Sequence, residues 1–287
     1  MSDVLLVTCG ALPDGEDGGH LLVEALRARG LGATWVAWDD PGVAWSSARL
    51  VAVRSAWDYE HQRDRFLAWA RDVEATVPLM NSAAVLAWNT DKRYLLDLVD
   101  VGLPVVPTIA VEDEGELPPA IASFETAVVK PRVGAGGRGV VVFDGEPGGP
   151  EGLDESTLEP GPWIVQPLVG SVRSEGETSV FVFGGEVASQ VRKVPGAGEI
   201  RVHEEFGGRT LPVAVDEDAA ALALRTVAAA EKVLGERLPY ARVDLMRLAD
   251  GELAVSELEV TEPGLYLDVL PGNAEEYAGV LAAALDA

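Results

Sequence analysis

The sequence predicts an α/β chain with α+β character: an N-terminal parallel sheet followed by two mixed subdomains. Three observations predict it. Residues 1–88 alternate short apolar, β-rich runs with helical patterns, the order of a parallel sheet joined by crossover helices. TAVVKPRVGAGGRGVVVFD, from Thr126 to Asp144, links two β-rich runs through glycines. Near the C-terminus, YARVDLMRL and LAVSELEV flank ADGE and read as a hairpin with acids on one face.

The chain of 287 residues is long enough for a full core and more than one subdomain. Its 22 Lys+Arg against 47 Asp+Glu leave a formal charge of −25, which repels phosphate backbones and anionic lipid. Neither nucleic acid nor membrane is an expected partner, and the few basic residues gain weight. Cys9 is the single cysteine, so no disulfide framework exists. The start MSDVLLVTCG carries Asp3 where a signal peptide would be basic, and no apolar run reaches membrane-span length. A cytoplasmic protein is expected.

In chain order, Val4 to Thr8 reads as a buried strand, Gly19 to Arg29 as a helix ending at Gly30, and Ala33 to Trp38 and Leu50 to Arg54 as further strands. Ligands of parallel sheets sit beyond the carboxyl ends of strands. RSAWDY follows the third strand and places Arg54, Ser55, Trp57, Asp58 and Tyr59 in such a loop. Arginine suits a small carboxylate and the aromatics suit a pocket wall; a structural ion pair in a loop leading to a helix is the other reading. Phe66 to Val73 continues a helix starting near His61, which has no Cys or second His nearby and reads as exposed.

In NTDKRYLLDLVDVG, Tyr94, Leu95, Leu98 and Val99 fall at helical spacing, with Thr90 as N-cap and Gly102 as stop. Lys92 then lies in the first turn, opposing the helix dipole unless an anion binds. It is either a second cation for a phosphate or a solvated lysine. LPVVPTIAV, cut by Pro104 and Pro107, reads as extended chain.

The link after Lys130 spells GxGxxG at Gly134, Gly136 and Gly139. A dinucleotide fingerprint must open a helix, whereas here VVVF follows at once. A kinase loop carries its lysine after the glycines, and no HRD, DFG or GK[ST] occurs. The link is therefore a hairpin, either clamping phosphate beside Lys130 or lying unused on the surface. DGEPGGPEGLDE after it reads as a surface connection.

Trp163 to Val165 is a short strand ended by Gln166, Pro167 and Leu168. A longer run from Glu177 turns at Gly184 and Gly185 and ends in Arg192 and Lys193. The next loop holds Arg201, His203, Gly207, Gly208 and Arg209, and either folds over a ligand or is a mobile surface loop. His203 has no partner that would make it a metal ligand. Ala219 to Leu234 is an alanine-rich helix.

If Asp250 and Gly251 are the central pair of a tight turn, residues equidistant from them face each other, which sets Asp244 against Glu257 and Arg242 against Glu259. Alternation puts these four on one face and Val243, Leu245, Leu258 and Val260 on the other. Opposed like charges are destabilising unless neutralised. A divalent cation would neutralise them, and oxygen-only ligands suit magnesium; a solvated acidic edge is the alternative.

The order of these motifs, NTDKRYL, VVKP before the glycine hairpin, QPL, GETSVFVF, RVDLM and ELEVTEP, resembles the ATP-grasp superfamily of carboxylate ligases, the group of glutathione synthetase and D-alanine–D-alanine ligase. The resemblance runs from Asn89 to Asp268. VRSAWDY and WNTDKRYL look most like D-cycloserine synthetase and related actinobacterial biosynthetic ligases. The resemblance implies an ATP-grasp fold with three units: 1–88 on the substrate side, 89–165 bearing the lid, and 166–287 bearing the metal site. It implies that Lys92 and Lys130 hold ATP phosphates, that Gly136 and Gly137 cover them, that Gln166 and Leu168 hold adenine, and that Glu177 holds ribose. Asp244, Glu257 and Glu259 would bind magnesium, as two ions, and Arg242 would steady the reacting phosphoryl group with Lys130. Arg54, Ser55, Trp57, Arg201 and His203 are the candidates for substrate. Many relatives carry asparagine where Glu259 stands.

The activity implied is ATP-dependent joining of a small-molecule carboxylate to an amine through an acyl phosphate, in specialised metabolism such as antibiotic biosynthesis. An intramolecular cyclo-ligase and a non-catalytic nucleotide-binding module are the alternatives. A homodimer is an assembly the sequence leaves open.

Overall fold

The computed structural model describes residues 2–144 and 158–286. DGEPGGPEGLDE lies, from residue 145 on, outside the described residues.

β1 (Val4–Thr8), α1 (Gly19–Ala28), β2 (Ala33–Ala37), β3 (Leu50–Ser55), α2 (Arg63–Glu74) and β4 (Leu79–Met80) build a parallel sheet in the order β2-β1-β3-β4. β1 and β3 are buried along their whole length, as apolar strands covered on both faces must be. On one face, Trp38, Phe66 and Trp69 pack edge-on and stacked, and Tyr59 stacks on Phe66 with ring centroids 4.9 Å apart. This cluster fixes the turn after β3, where Asp58 accepts the Trp38 indole N–H at 2.7 Å.

α3 (Ala83–Asn89) and α4 (Tyr94–Asp100) follow. Thr90 is the C-terminal cap of α3, where the sequence suggested the N-cap of the next helix. Lys92 accordingly sits in the turn between two helices, its backbone N–H donated to Arg132 O at 2.8 Å. The reason lies in Asn89, which ends α3 by accepting the N–H groups of Val260 and Thr261 and donating to Leu258 O.

β5 (Ile109–Val111), α5 (Leu117–Ile121), β6 (Thr126–Pro131), β7 (Val141–Asp144) and β8 (Trp163–Pro167) form an antiparallel sheet ordered β5-β8-β6-β7. The glycine link is the β6–β7 hairpin, as its flanking β-branched runs required. β9 (Glu177–Phe183), β10 (Glu186–Val194), β11 (Arg209–Val213), β12 (Tyr240–Arg247) and β13 (Leu253–Glu259) form a second antiparallel sheet ordered β11-β10-β9-β12-β13. α6 (Glu217–Leu234), capped by Asp216 through the Ala219 N–H, covers one face of it. α7 (Gly272–Asp286) returns to pack on β1 and α1.

Two cores cut across the expected boundaries at residues 88 and 165. Val85, Leu95 and Leu98 of α3 and α4 pack with α6 and β12–β13, and Tyr277 and Leu281 of α7 pack with Leu6, Leu22 and Phe181. β8 itself runs on to Pro167.

The β12–β13 hairpin departs from the expected turn while keeping the expected register at its far end. Gly251 N–H reaches Leu248 O and Leu248 N–H reaches Glu252 O, so three residues, 249–251, form the tip and Gly251 takes a φ of +92°. That shifts Leu245 opposite Val255, one residue from the two-residue-turn register. A bulge at Ser256 then restores the pairs Asp244 with Glu257 and Arg242 with Glu259. Val243, Leu245, Leu258 and Val260 lie in the core on the opposite face.

Candidate functional site

A cavity of about 430 Å³ lies between the two antiparallel sheets, closed on its third side by the N-terminal domain. Glu257 and Glu259 line its floor, and with Asp244, buried just behind them, they offer oxygens within 4.8 Å of one another, a donor set suited to a hard cation. Cations of the chain already meet them. Asp244 accepts from Arg242 Nε at 3.0 Å and from Lys193 Nζ at 2.9 Å; Glu257 pairs with Lys92 Nζ at 2.8 Å; Arg242 also reaches Glu259. The opposed acids are therefore neutralised without a metal, and their juxtaposition alone does not demand one. Burial works against ionising Asp244, but Arg242 and Lys193 outweigh it and hold the carboxyl far below its usual range. Glu259 is different: burial, with Glu257 and Asp244 adding to it and Arg242 opposing, pushes it up to about 8. Glu259 therefore gives up its proton less readily than its neighbours, and a cation bound beside it would favour the ionised form.

Lys130, on β6, lines the same cavity and makes no hydrogen bond or ion pair among the described residues. Burial lowers its pKa, Glu257 opposes, and Lys92 adds to the lowering. An ammonium held near a second ammonium with no carboxylate of its own is arranged to receive an anion. Lys92 Nζ also donates to Gly134 O at 2.9 Å, tying floor to hairpin. Gly136 and Gly137 stand at φ +63° and +71°, and a side chain at 137 would come within 2.8 Å of His203 Nδ1. The hairpin is docked: Glu60 accepts Ala135 N–H and Arg138 Nε, each at 2.6 Å, and Arg138 Nη2 donates to Trp57 O.

Away from the charges, Val106, Val128, Val172 and Met246 wall an apolar slot suited to a flat ring. Gln166 and Leu168 edge it. Gln166 Nε2 is engaged by Thr108 and Leu168 N–H by Thr126 O at 2.8 Å, so Leu168 offers its carbonyl to a ligand. Glu177, at the start of β9, is held by Lys193 and by Ser256 Oγ.

The five substrate candidates divide. Arg54 is not in a loop: it is the penultimate residue of β3, is 0% exposed, and its Nη2 donates to Glu16 at 2.9 Å and to Pro263 O at 2.6 Å, against the Tyr277 ring. Ser55, the last residue of the strand, is buried beside it, donating to Thr8 Oγ1. Neither lines the cavity, which corrects both assignments: the strand runs one residue past Arg54, where the sequence reading ended it, and carries both side chains into the interior. Trp57, Arg201 and His203 do line it. Trp57 Nε1 donates to Glu262 O; Arg201 lies over Phe206 and pairs with Glu199; His203 is pushed down to about 4 by burial and by Lys193 and Arg242, so it is neutral.

Three residues of the site escaped sequence reading. Lys193 was visible only as the end of a strand, Glu16 lies in the loop after β1 and accepts Leu265 N–H at 2.6 Å, and Glu60 gave no signal before the hairpin was seen to dock on it. The rule that parallel-sheet ligand loops follow strand ends, applied to β1, points at Glu16.

Known proteins resemble this chain in sequence and in fold. The family model of the D-cycloserine synthetase DcsG N-terminal domain matches residues 4–81. The chain is 33% identical over 275 residues to the cycloserine biosynthesis protein DcsG of Streptomyces lavendulae, covering 91% of each. It is 31% identical over 188 residues to the glutathione synthetase of Prochlorococcus marinus, covering 64% of this chain and 56% of that one. The crystal structure of D-cycloserine synthetase DcsG superposes with a TM-score of 0.85 at 30% identity, covering 98% of this chain and 99% of that one. The D-alanine–D-alanine ligase of Bacillus anthracis, complexed with ATP, gives 0.66 at 17% identity over 98% and 95%, a likeness of fold.

Proposed function

The chain belongs to the D-cycloserine synthetase family of ATP-grasp ligases, and from that premise we propose how its own residues carry out the ligation. It is an ATP-dependent amino-acid ligase of biosynthesis. The observation that carries the proposal is Lys130: a cation with no ion-pair partner among the described residues, lining a cavity whose wall includes two of three clustered carboxylates.

ATP enters with its base in the slot of Val106, Val128, Val172 and Met246, edged by Gln166 and Leu168, and with its ribose toward Glu177. Lys130, Lys92 and the backbone of Gly136 and Gly137 take the phosphates. Asp244, Glu257 and Glu259 hold magnesium, as two ions, which supplies charge neutralisation at the phosphates when bound. Lys92 and Arg242 then exchange carboxylates for phosphate oxygens. A substrate carboxylate oxygen forms a bond to the γ-phosphorus, the bridging P–O bond breaks, and ADP leaves. The amine attacks the acyl carbon and inorganic phosphate departs. Arg242 steadies the transferring phosphoryl group, and positioning with charge neutralisation suffices without a protein nucleophile. Residues 1–88 serve the substrate side, 89–165 carry the lid, and 166–287 carry the metal wall.

The partners are a small-molecule carboxylate and an amine, and the net charge of −25 weighs against nucleic acid. Among the described residues no helix is long and apolar enough to cross a membrane, and the cytoplasm is the compartment we propose. With the acyl donor, ATP and magnesium, hydroxylamine traps the acyl phosphate as a hydroxamate. A stable phosphomonoester in its place makes the protein a kinase. Similarity to the cycloserine biosynthesis protein DcsG over 91% of the chain favours a second reading, intramolecular ring closure. In that case an added amine leaves ADP release unchanged; under intermolecular ligation the amine raises it.

A further inference from the structure

Among the described residues, four acidic residues are, taken whole, nine-tenths or more buried: Glu16, Glu177, Asp244 and Glu262. The first three each meet a cation, Arg54, Lys193 and Arg242 respectively. Glu262 is 9% exposed, lines the cavity, and makes no ion pair among the described residues. Its polar neighbour is the Tyr59 hydroxyl, and Lys92 and Arg242 act on it only from beyond contact. A carboxylate taken out of water without a counter-charge in contact is costly, and here the space beside it is the space a ligand enters.

Resting on the ligase reading, we propose that Glu262 is the recognition site for the ammonium group of the amino-acid substrate, whose carboxylate lies toward Arg242. The opposite end is close at hand. Trp57 Nε1 donates to Glu262 O at 2.9 Å, Arg242 Nη1 donates to Gly264 O at 3.3 Å, and a side chain built on Gly264 would touch both Trp57 and Arg242 at 3.6 Å. Glu262 and the phosphoryl-steadying arginine thus flank one short stretch of chain, with the indole of Trp57 and the ring of Tyr266 lining the space. Aromatic faces attract an alkylammonium ion and offer nothing to a hydrated metal. Glu262 also stands outside the carboxylate group whose oxygens converge for a metal. Asp17 and Asp268, exposed at the rim, add potential that draws a cation inward.

The test uses the full chain and methylammonium chloride, with potassium chloride at equal ionic strength as reference. Methylammonium raises the thermal midpoint of the wild type above the potassium reference, and Glu262→Gln weakens its apparent affinity about tenfold, as loss of a charge-assisted contact does. Glu262→Asp, which keeps the charge, keeps the shift. No shift in the wild type, equal shifts in wild type and Glu262→Gln, or removal of the shift by magnesium chloride alone overturns the proposal. With the acyl donor, Glu262→Gln raises KM for that donor and leaves KM for ATP unchanged. Failure of the hydroxamate assay with the methylammonium shift intact counts against the ligase reading; a hydroxamate formed equally well by Glu262→Gln counts against the ammonium site.

Discussion

Two buried ion-pair systems in this molecule behave differently. Arg54 and Glu16 are 0% and 5% exposed, and Glu16, at the cavity's edge, accepts from Arg54 and Leu265 N–H. Asp244, Glu257 and Glu259 with Arg242, Lys193 and Lys92 are just as tightly paired, but all of these except Asp244 line the cavity, and Glu257 and Glu259 keep side-chain exposures of 31% and 24%. The residue types are the same. What separates a brace from a site is whether a ligand can reach the charges and whether their partners can be exchanged. On the proposed mechanism Lys92 and Arg242 have phosphate to turn to, whereas Arg54 is enclosed by protein.

The comparison breaks first at Glu257. Glu257→Gln keeps the shape and removes a charge from the floor, so magnesium-dependent ADP release falls about 10³-fold, the scale of losing one electrostatic stabiliser. The circular dichroism spectrum stays that of the wild type. Full activity at ordinary magnesium would remove this residue from the metal site. At the brace the loss is of stability: Arg54→Met leaves Glu16 buried and alone and lowers the unfolding free energy by about 3–5 kcal/mol, read from urea denaturation. Adding Glu16→Gln recovers most of it. If Arg54→Met changes only the KM of a substrate, Arg54 belongs to the site after all.

Lys130→Ala sharpens the contrast, because this cation has no protein partner among the described residues to abandon. ATP binding weakens by about tenfold or more while urea stability holds, measured by calorimetry on the same sample. Lost stability with unchanged nucleotide affinity would make it a second brace.

The smallest effect concerns His203, pushed down to about 4 in the fold. The unfolded chain takes up that proton near the ordinary value of about 6.5, so between these limits the unfolded state holds more protons and stability falls as pH falls. His203→Gln flattens that slope, visible as a smaller drop in urea midpoint between neutral pH and pH of about 5. An unchanged slope means that another group carries the acid sensitivity.

Much of the fold was legible. The β-branched runs around the glycine link required a hairpin and forbade a dinucleotide helix, and VLLVT and LVAVR read as strands, the second of which runs one residue further, to Ser55. The glycine hairpin, the two lysines and the acid-bearing strands were visible because each is a local pattern. Less legible were contacts between distant segments, such as Asn89 bonding the end of β13 or Glu60 seizing the hairpin, since neither leaves a periodicity.

Register shows where the line falls. Alternation along β12 and β13 by itself gave the acids one face and Val243, Leu245, Leu258 and Val260 the other. Which acid meets which was decided by a three-residue tip and a bulge at Ser256, two displacements of one residue that cancel. Across β9 and β10 there is no such cancellation. A two-residue turn at Gly184–Gly185 would set Arg192 against Glu177, and the bulge between Val187 and Ser189 sets Lys193 there instead, buried, while Arg192 turns outward. Sequence determines the faces of a strand because its side chains alternate by covalent geometry. Only the folded sheet determines the partners, because a single extra residue, placed where twist and packing accept it, moves every pair beyond it by one.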